Sequence, residues 1–336
     1  MVDRRPSVDH DADGHLAALV PASSQPWSSP QARAGPAGPW LRPPAEQRSG
    51  DVRRLRGPDG ALRTVADERR SMVTLAYVIA GSEATGGAGI QADLKTFQQL
   101  GVYGVGTLTC IVSFDPKAGW GHRFVPVAPE VIADQFEAAT SCHDLDVVKI
   151  GMLGTPATID VVARSLASQP WRHVVLDPVL ICKGQEPGAA LDTDTALREQ
   201  ILPLATVITP NVFEAKTLAG MDSITTVADL EEAARRIYDL GPRYVVVKGG
   251  VELDGPDAVD LLFDGEEVTV YSTPKIGQER VSGAGCTFAA AITAELAKGT
   301  DVPEAVAVAK RLVTAGITER VSSNAPFDAV WQGAGV

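Results

Sequence analysis

The sequence has few cysteines, histidines and aromatic residues, and this excludes several classes of protein. Only four cysteines occur in 336 residues, they lie far apart, and none forms a CxxC pair. A disulfide framework or a zinc site is therefore not expected, and reduced thiols in a cytoplasmic protein fit better. The five histidines form neither an HExxH motif nor a pair four residues apart, so we assign them no catalytic role.

Long apolar runs and an excess of positive charge are also missing. No segment approaches the roughly 20 apolar residues of a membrane span, and the apolar piece that follows Arg4 and Arg5 is too short for a signal peptide. The formal net charge is -12, which makes nucleic acid and anionic membranes poor partners. Any nucleotide site must therefore be locally positive. The sequence predicts a cytoplasmic protein.

The N-terminal segment differs in composition from the rest of the chain. The first 70 residues contain nine of the 23 prolines and eleven arginines, but no lysine, isoleucine, phenylalanine or tyrosine. Such a segment buries too little apolar surface to offset the entropy lost on ordering it. We expect a disordered extension over residues 1–72 and a folded domain over residues 73–336. The alternative is a regulatory arm anchored by Trp27 and Trp40.

Strand-like and helix-like segments alternate from residue 73 onward. Apolar runs predict six strands, at residues 74–81, 105–114, 145–151, 172–178, 205–210 and 243–250. Helical patterns follow at residues 91–101, 129–140, 158–168, 194–205, 211–220 and 226–241, and near Cys286 and Val302. This alternation predicts an α/β fold, with a mostly parallel sheet flanked by helices on both faces. A "DG" turn within residues 259–273 predicts a small antiparallel hairpin.

The loop after the first predicted strand is rich in glycine. It reads "GSEATGGAG" and leads into a helix whose first turn carries Gln91 and Asp93. Ligands of open α/β sheets bind at the carboxyl ends of strands, so this loop is a candidate site. The segment from Gly87 to Ala92 also has the GxGxxA spacing of a dinucleotide fingerprint, for which Asp115 would be the ribose acid. A NAD-linked oxidoreductase is therefore one alternative.

Polar side chains follow three later strands. Asp177 ends the fourth strand, while Asn211 and Glu214 follow the fifth and share one helical face. An amide and a carboxylate placed there can hold Mg²⁺ beside phosphates, although the same pair is typical of a helix N-cap. Lys248 ends the apolar sixth strand, where a lysine needs an anion such as a phosphate, or a route to water.

The segment "SGAGCTF" combines a glycine loop, a helix start and a cysteine. First-turn N–H groups have no intrahelical acceptor, so with the helix dipole they form an anion site. The dipole is expected to lower the pKa of Cys286, whose thiolate could take a proton from a hydroxyl attacking a γ-phosphate. Packing against the sheet is the alternative. No GxxxxGK[ST] motif occurs, so a P-loop enzyme is excluded.

Six ordered motifs resemble those of the pyridoxine/pyridoxal kinases of the hydroxymethylpyrimidine-kinase-like branch of the ribokinase superfamily, over about residues 73–325. They are "AGSEATGGAGIQADLKTF", "KIGML", "LDPVLICKG", "ITPNVFEA", "VVKGG" and "SGAGCTFAAAITAELAKG". The resemblance implies a ribokinase-like fold and a homodimer. It also implies ATP- and Mg²⁺-dependent phosphorylation of the 5′-hydroxymethyl group of a B6 vitamer, with a monovalent cation as a further candidate cofactor.

The resemblance also implies roles for particular residues. It implies a catalytic anion hole with a cysteine base, formed by Gly283, Ala284, Gly285 and Cys286. It implies substrate contacts at Ser82, Glu83, Gln91, Met152 and Cys182. It implies ATP contacts at Asn211, Glu214, Lys248, Gly249, Gly250, Asp260 and Gly285, and metal ligands at Asp177 and Glu214.

Three local features favour a B6 kinase over a hydroxymethylpyrimidine kinase. They are the segment "VSFDPKAGWGH", Phe213 in "TPNVFEA", and Cys182 on a predicted lid, where its thiol could add to the aldehyde of pyridoxal. Glu83 departs from the family, which usually has aspartate there, and so does Ser282, where histidine or asparagine is common. A hydroxymethylpyrimidine kinase of thiamine biosynthesis stays open as an alternative, as does a non-catalytic ligand-binding protein.

Overall fold

The structure, a computed structural model, describes residues 73–180 and 187–335, together with two short strands near the N-terminus. These are β1 (Arg54–Arg56) and β2 (Leu62–Thr64), which pair antiparallel. They belong to a separate unit that ends at Glu68. The other residues of the predicted extension lie outside the described part of the chain, so its disorder stays a prediction.

The second unit, which begins at Arg69, is built on one sheet. Its strands, among residues 73–180 and 187–335, are β3 (Leu75–Glu83), β4 (Tyr103–Asp115), β5 (Gly121–Pro126), β6 (Val147–Ile150), β7 (His173–Leu176), β8 (Val207–Ile208), β9 (Tyr244–Gly250), β10 (Asp257–Phe263) and β11 (Val268–Pro274). The sheet order is β11-β10-β9-β8-β7-β6-β3-β4-β5. The six central strands, β9 through β4 in this order, are parallel, while β10, β11 and β5 pair antiparallel at the two edges.

Helices cover both faces of the sheet. In the same described residues they are α1 (Gly89–Gln99), α2 (Pro129–Cys142), α3 (Pro156–Ala167), α4 (Pro187–Gln200), α5 (Val212–Ala219), α6 (Val227–Tyr238), α7 (Ala284–Lys298) and α8 (Val302–Thr318). The buried apolar residues of α2 to α6 form one core with the sheet. Those of α1, α7 and α8 form the cores on the opposite face. The predicted α/β fold with a mostly parallel, two-sided sheet is confirmed.

Two details differ from the sequence-based prediction. The short strand β5 was not predicted, and it forms a second antiparallel hairpin with β4. The helix predicted at residues 194–205 begins at Pro187, ends at Gln200, and is followed by a short 3₁₀ turn at Leu202–Leu204. The predicted hairpin of β10 and β11 is present.

The order of the strands fixes where a ligand can bind. β3 pairs with β4 on one side and with β6 on the other, so the direction of strand succession reverses at β3. Open α/β sheets bind ligands at such a switch point, beyond the carboxyl ends of the strands. The loops after β3, β6, β7, β8 and β9, and the start of α7, meet at this edge.

Candidate active site

The glycine loop before α7 forms one wall of this edge. Gly283 is the N-cap of α7 and has a φ of 79°, a left-handed conformation that favours glycine. A Cβ atom there would lie 1.8 Å from the carbonyl oxygen of Gly87, so this loop packs against the glycine loop that follows β3. The N–H groups of Gly285 and Cys286 lie in the first turn, where a helix offers them no acceptor. They form a candidate anion site.

Cys286 lies between the starts of two helices. Its side chain is half-buried in the first turn of α7, and the N–H of Gly89 at the start of α1 donates a hydrogen bond to its sulfur. Burial raises the pKa of the thiol to about 11, and the Lys149 ammonium offsets only part of that rise. The predicted lowering of this pKa is therefore wrong, because the cost of burying a thiolate outweighs the helix dipole.

Lys248 forms an ion pair with Asp177, with 3.0 Å between Nζ and Oδ1. The lysine side chain is only 13% exposed, so it meets a carboxylate at the sheet edge and does not extend into water. Burial disfavours the Asp177 carboxylate, but Lys248 and Lys149 outweigh that effect and its pKa is lowered. Burial also disfavours the Lys248 ammonium, but Asp177 and Glu214 hold its pKa above the ordinary value. Both groups are charged at neutral pH.

Asn211 and Glu214 begin α5 as a capping box. Asn211 Oδ1 accepts from the N–H of Glu214, and Glu214 Oε2 accepts from the N–H of Asn211, both at 2.9 Å. The capping interpretation of this pair is thus confirmed. Burial raises the pKa of Glu214 to about 8; Lys248 opposes this rise and the charge of Asp177 adds to it. Two buried acids at one edge are electrostatically suited to a divalent cation.

A protein cage for a metal is not present in the described part of the chain. Those residues contain no group of three His, Cys, Asp or Glu side chains that could hold an ion. Asp177 and Glu214 could therefore bind Mg²⁺ only with further oxygens, and phosphates are the usual source of these. The donor set fits a metal that arrives with a nucleotide.

A cavity of about 250 Å³ opens beside this edge. Its lining includes most of the predicted ATP contacts, namely Asn211, Lys248, Gly249, Gly250, Asp260 and Gly285. Its apolar lining residues include Ile276, Val281, Phe288, Val313 and Ile317. A lining that combines charged groups with apolar side chains suits a triphosphate joined to a flat base. Glu214 does not line this cavity.

Asp260 is held by a lysine that the sequence did not predict to be part of the site. Lys310 Nζ donates to Asp260 Oδ2 at 2.8 Å and to the carbonyl oxygen of Ala258 at 2.8 Å. Lys310 lines the same cavity and is itself buried. The sequence feature that could have identified Lys310 is its place between Ala309 and Leu312 of α8, which are both buried.

The predicted substrate residues gather around the loops after β3 and β6. Gln91 Nε2 donates to Ser82 Oγ at 2.7 Å, and Gln91 Oε1 accepts from the N–H of Glu83 at 3.0 Å. The Glu83 carboxylate turns into the glycine loop and accepts from the N–H and hydroxyl of Thr85 at 2.6 and 2.7 Å. This carboxylate is therefore committed to holding the loop. Met152 follows β6 at the same edge.

Cys182, the predicted lid residue, lies outside the described residues. A membrane-spanning segment is not found among the residues that the structure does describe, because none of their helices is both long and apolar enough.

Comparisons with known proteins identify relatives that match most of residues 73–335. A family model described as phosphomethylpyrimidine kinase matches residues 83–331. A pyridoxine kinase of Bacillus subtilis is 48% identical over 249 residues, which is 74% of this chain and 92% of the relative. A hydroxymethylpyrimidine/phosphomethylpyrimidine kinase of Haemophilus influenzae is 39% identical over 252 residues, again 74% of this chain and 92% of the relative.

A solved structure agrees with these sequence comparisons. The pyridoxal kinase from Staphylococcus aureus, in complex with AMP-PCP and pyridoxal, superimposes with a TM-score of 0.73. It is 38% identical, and the match covers 79% of this chain and 95% of that one. The α/β architecture described above is thus that of a ribokinase-like kinase.

Proposed function

Because the chain belongs to the phosphomethylpyrimidine kinase family, we propose that it transfers the γ-phosphoryl group of ATP to the hydroxymethyl group of pyridoxine or pyridoxal. The relatives named above include a pyridoxine kinase, and one structural relative binds an ATP analogue together with pyridoxal. The observation that carries the proposal is local. Lys248 and Gly285 line the same cavity, the Lys248 ammonium is paired with Asp177, and Cys286 follows Gly285 in the first turn of α7.

The reaction is an in-line displacement in which the protein mainly positions groups and stabilises charge. The Cys286 thiolate accepts the proton of the substrate hydroxyl while the hydroxyl oxygen attacks the γ-phosphorus. The bond between that phosphorus and the β-γ bridging oxygen breaks, and ADP leaves with the electron pair. Lys248 and the N–H groups of Gly285 and Cys286 stabilise the charge on the phosphoryl oxygens.

Mg²⁺ would be held by Asp177 and Glu214 together with phosphate oxygens, and it would supply further neutralisation of phosphate charge. Ring contacts from Ser82, Gln91 and Met152 would orient the heteroaromatic substrate. Glu83 would act through the glycine loop that its carboxylate holds. A role for Cys182 on a lid, a monovalent cation and a cytoplasmic location stay predictions.

We also propose that the protein forms a homodimer. Strands β4 and β5 expose apolar side chains, with Tyr103 54%, Ile111 43% and Val125 61% exposed. Exposed apolar residues on a sheet edge favour association with another surface, because both the apolar area and the strand edge are costly to leave uncovered.

The test measures ADP release with pyridoxine, pyridoxal and hydroxymethylpyrimidine as separate acceptors, and identifies each product by mass. We expect the highest kcat/KM with a B6 vitamer and a product heavier by one phosphoryl group. A higher kcat/KM with hydroxymethylpyrimidine would support the thiamine-pathway kinase instead, as the Haemophilus relative suggests. No ADP release above that of Cys286→Ala with any acceptor would reject both kinases.

A further inference from the structure

A fully buried ion pair lies next to the proposed base and has no part in the mechanism above. Lys149 Nζ is 2.7 and 2.9 Å from the two carboxylate oxygens of Asp93. Both side chains are 0% exposed. Lys149 lies in β6 and Asp93 in α1, so the pair joins the sheet to the helix that follows the glycine loop.

Stability alone gives little reason to keep such a pair. Removing two charges from water costs several kcal/mol per ion, and apolar side chains of similar volume often replace a buried pair with no loss of stability. Apolar side chains are buried on the same face of the sheet, among them Val147 of β6, Phe97 of α1 and Ala290 of α7. An apolar pair would therefore fit this core, and the charges call for another explanation.

Both charges of the pair are near enough to the Cys286 sulfur to act on it electrostatically. Gly89, whose N–H donates to that sulfur, and Asp93 are four residues apart on α1 and so share one helical face. α1 packs against α7, with Ile90 and Phe97 in one core with Ala290 and Ala294. The Cys286 sulfur contacts α1 at Gly89, and the Lys149 ammonium contacts it at Asp93. Both groups therefore lie on the same side of α1.

We propose that the Lys149–Asp93 pair is an electrostatic positioning element for Cys286, in which Lys149 supplies the positive charge that stabilises the thiolate and Asp93 fixes where that charge lies. The inference rests on the proposed kinase function, since the base needs to lose its proton before it can accept one from the substrate. The pair itself does not touch the substrate; it acts through the sulfur.

The charges around the sulfur support this assignment. The charged groups that act on Cys286 are Lys149, Asp93, Asp177 and Lys248. Lys149 exerts the largest influence that lowers the pKa of the thiol, while the two acids raise it. The carboxylates of Asp93 and Asp177 keep Lys149 protonated by raising its pKa, although burial opposes them. Removing the ammonium therefore leaves the sulfur with two neighbouring acids and a weaker positive field.

The test measures the rate at which iodoacetamide alkylates Cys286 between pH 6 and 10, in the full-length protein without substrate, with the labelled peptide identified by mass spectrometry. We compare the parent with Lys149→Met and with the apolar double replacement Lys149→Met/Asp93→Val. We expect both variants to alkylate at least about tenfold more slowly below pH 9, as a pKa shift of one unit or more would produce. We also expect kcat to fall while KM for the acceptor changes little.

The double replacement separates charge from structure. A merely structural pair predicts that the apolar double variant, with its Tm checked, regains both the parental alkylation rate and the parental kcat, and that result would overturn the proposal. Lys298→Met is the matched control. It removes one lysine charge from α7, the helix that carries Cys286, but twelve residues or about 18 Å away from the sulfur. It should change neither the alkylation rate nor kcat. The alkylation readout needs no kinase activity, so it stands or fails separately from the proposed reaction.

Discussion

The ammonium of Lys248 lies 3.0 Å from the carboxylate of Asp177, joining the carboxyl end of β9 to the residue that follows β7. A Cβ atom on Gly285 would lie 3.3 Å from that same ammonium and 3.8 Å from the carboxylate. The pair therefore sits directly against the glycine loop that begins α7. An incoming phosphate would compete with Asp177 for the lysine, and the acid would then be free to meet a cation.

Lys248→Met should lower kcat by about 10²- to 10³-fold, the usual loss when one preorganised donor to a developing oxyanion is removed. The substitution also leaves Asp177 buried without its partner, which costs roughly 3–5 kcal/mol of stability. Steady-state kinetics and thermal unfolding check the two effects separately. Lys216→Met serves as a control on α5, and a parental kcat in Lys248→Met would remove this lysine from the reaction.

Cys286→Ala should lower kcat by roughly 10²- to 10⁴-fold, because general-base catalysis typically contributes that much. The affinity for an ATP analogue should change little, since the first-turn N–H groups belong to the backbone and persist in the variant. The measurements are single-turnover phosphorylation of pyridoxal and binding of AMP-PCP. Near-parental turnover would show that another group accepts the proton.

The pH dependence follows from the raised pKa of Cys286. A base must be deprotonated to act, and kcat/KM reports the free enzyme, in which the pKa of this thiol is about 11. We therefore expect kcat/KM to rise about tenfold per pH unit between pH 7 and 9. A base with a raised pKa is mostly protonated at pH 7, so activity should be low there and should still be increasing at pH 9.

Cys286→Asp tests which group causes that rise. A carboxylate is already ionised at pH 7, so the steep alkaline rise should disappear. Glu214, whose pKa burial raises to about 8, could still give a rise that levels off above pH 8. An unchanged steep rise through pH 9 in Cys286→Asp would assign it to a group other than the cysteine.

Local patterns in the sequence were enough to predict the parallel core and the loops of the site. The apolar run of β9, the glycine loop before α7 and the Asn211–Glu214 spacing all lie within a few residues and need no tertiary knowledge. β5 was missed because "GHRFVP" is short, carries glycine and proline, and lies at the edge of the sheet, where one face stays polar.

Charges paired over long distances could not be predicted in the same way. Lys149 and Asp93 are 56 residues apart, and Lys310 and Asp260 are 50 apart, so only the assembled sheet brings them together. The pKa of Cys286 was predicted in the wrong direction for the same reason. The helix dipole can be inferred from local sequence, whereas the burial that outweighs it comes from α1 and the sheet.

Gly283, the N-cap of α7, and Gly285, in its first turn, offer a matched pair of substitutions. Gly283→Ala places a side chain at a φ of 79° and 1.8 Å from the Gly87 carbonyl oxygen, and backbone cannot yield as a side chain can. The left-handed conformation alone costs of order 1–3 kcal/mol, so we expect a lower Tm and loss of activity together.

Gly285→Ala meets no backbone outside its own helix, and its nearest neighbour is the side-chain nitrogen of Lys248 at 3.3 Å. Its Tm should therefore stay within a few degrees of the parent, the size of a shift of about 1 kcal/mol in a domain of this size, while kcat falls because the methyl group displaces Lys248 or a phosphate. Thermal unfolding and pyridoxal turnover of the two variants test the contrast. Equal losses of Tm would mean that both glycines serve only to shape the loop; a parental kcat in Gly285→Ala would place the transferred phosphoryl group away from the start of α7.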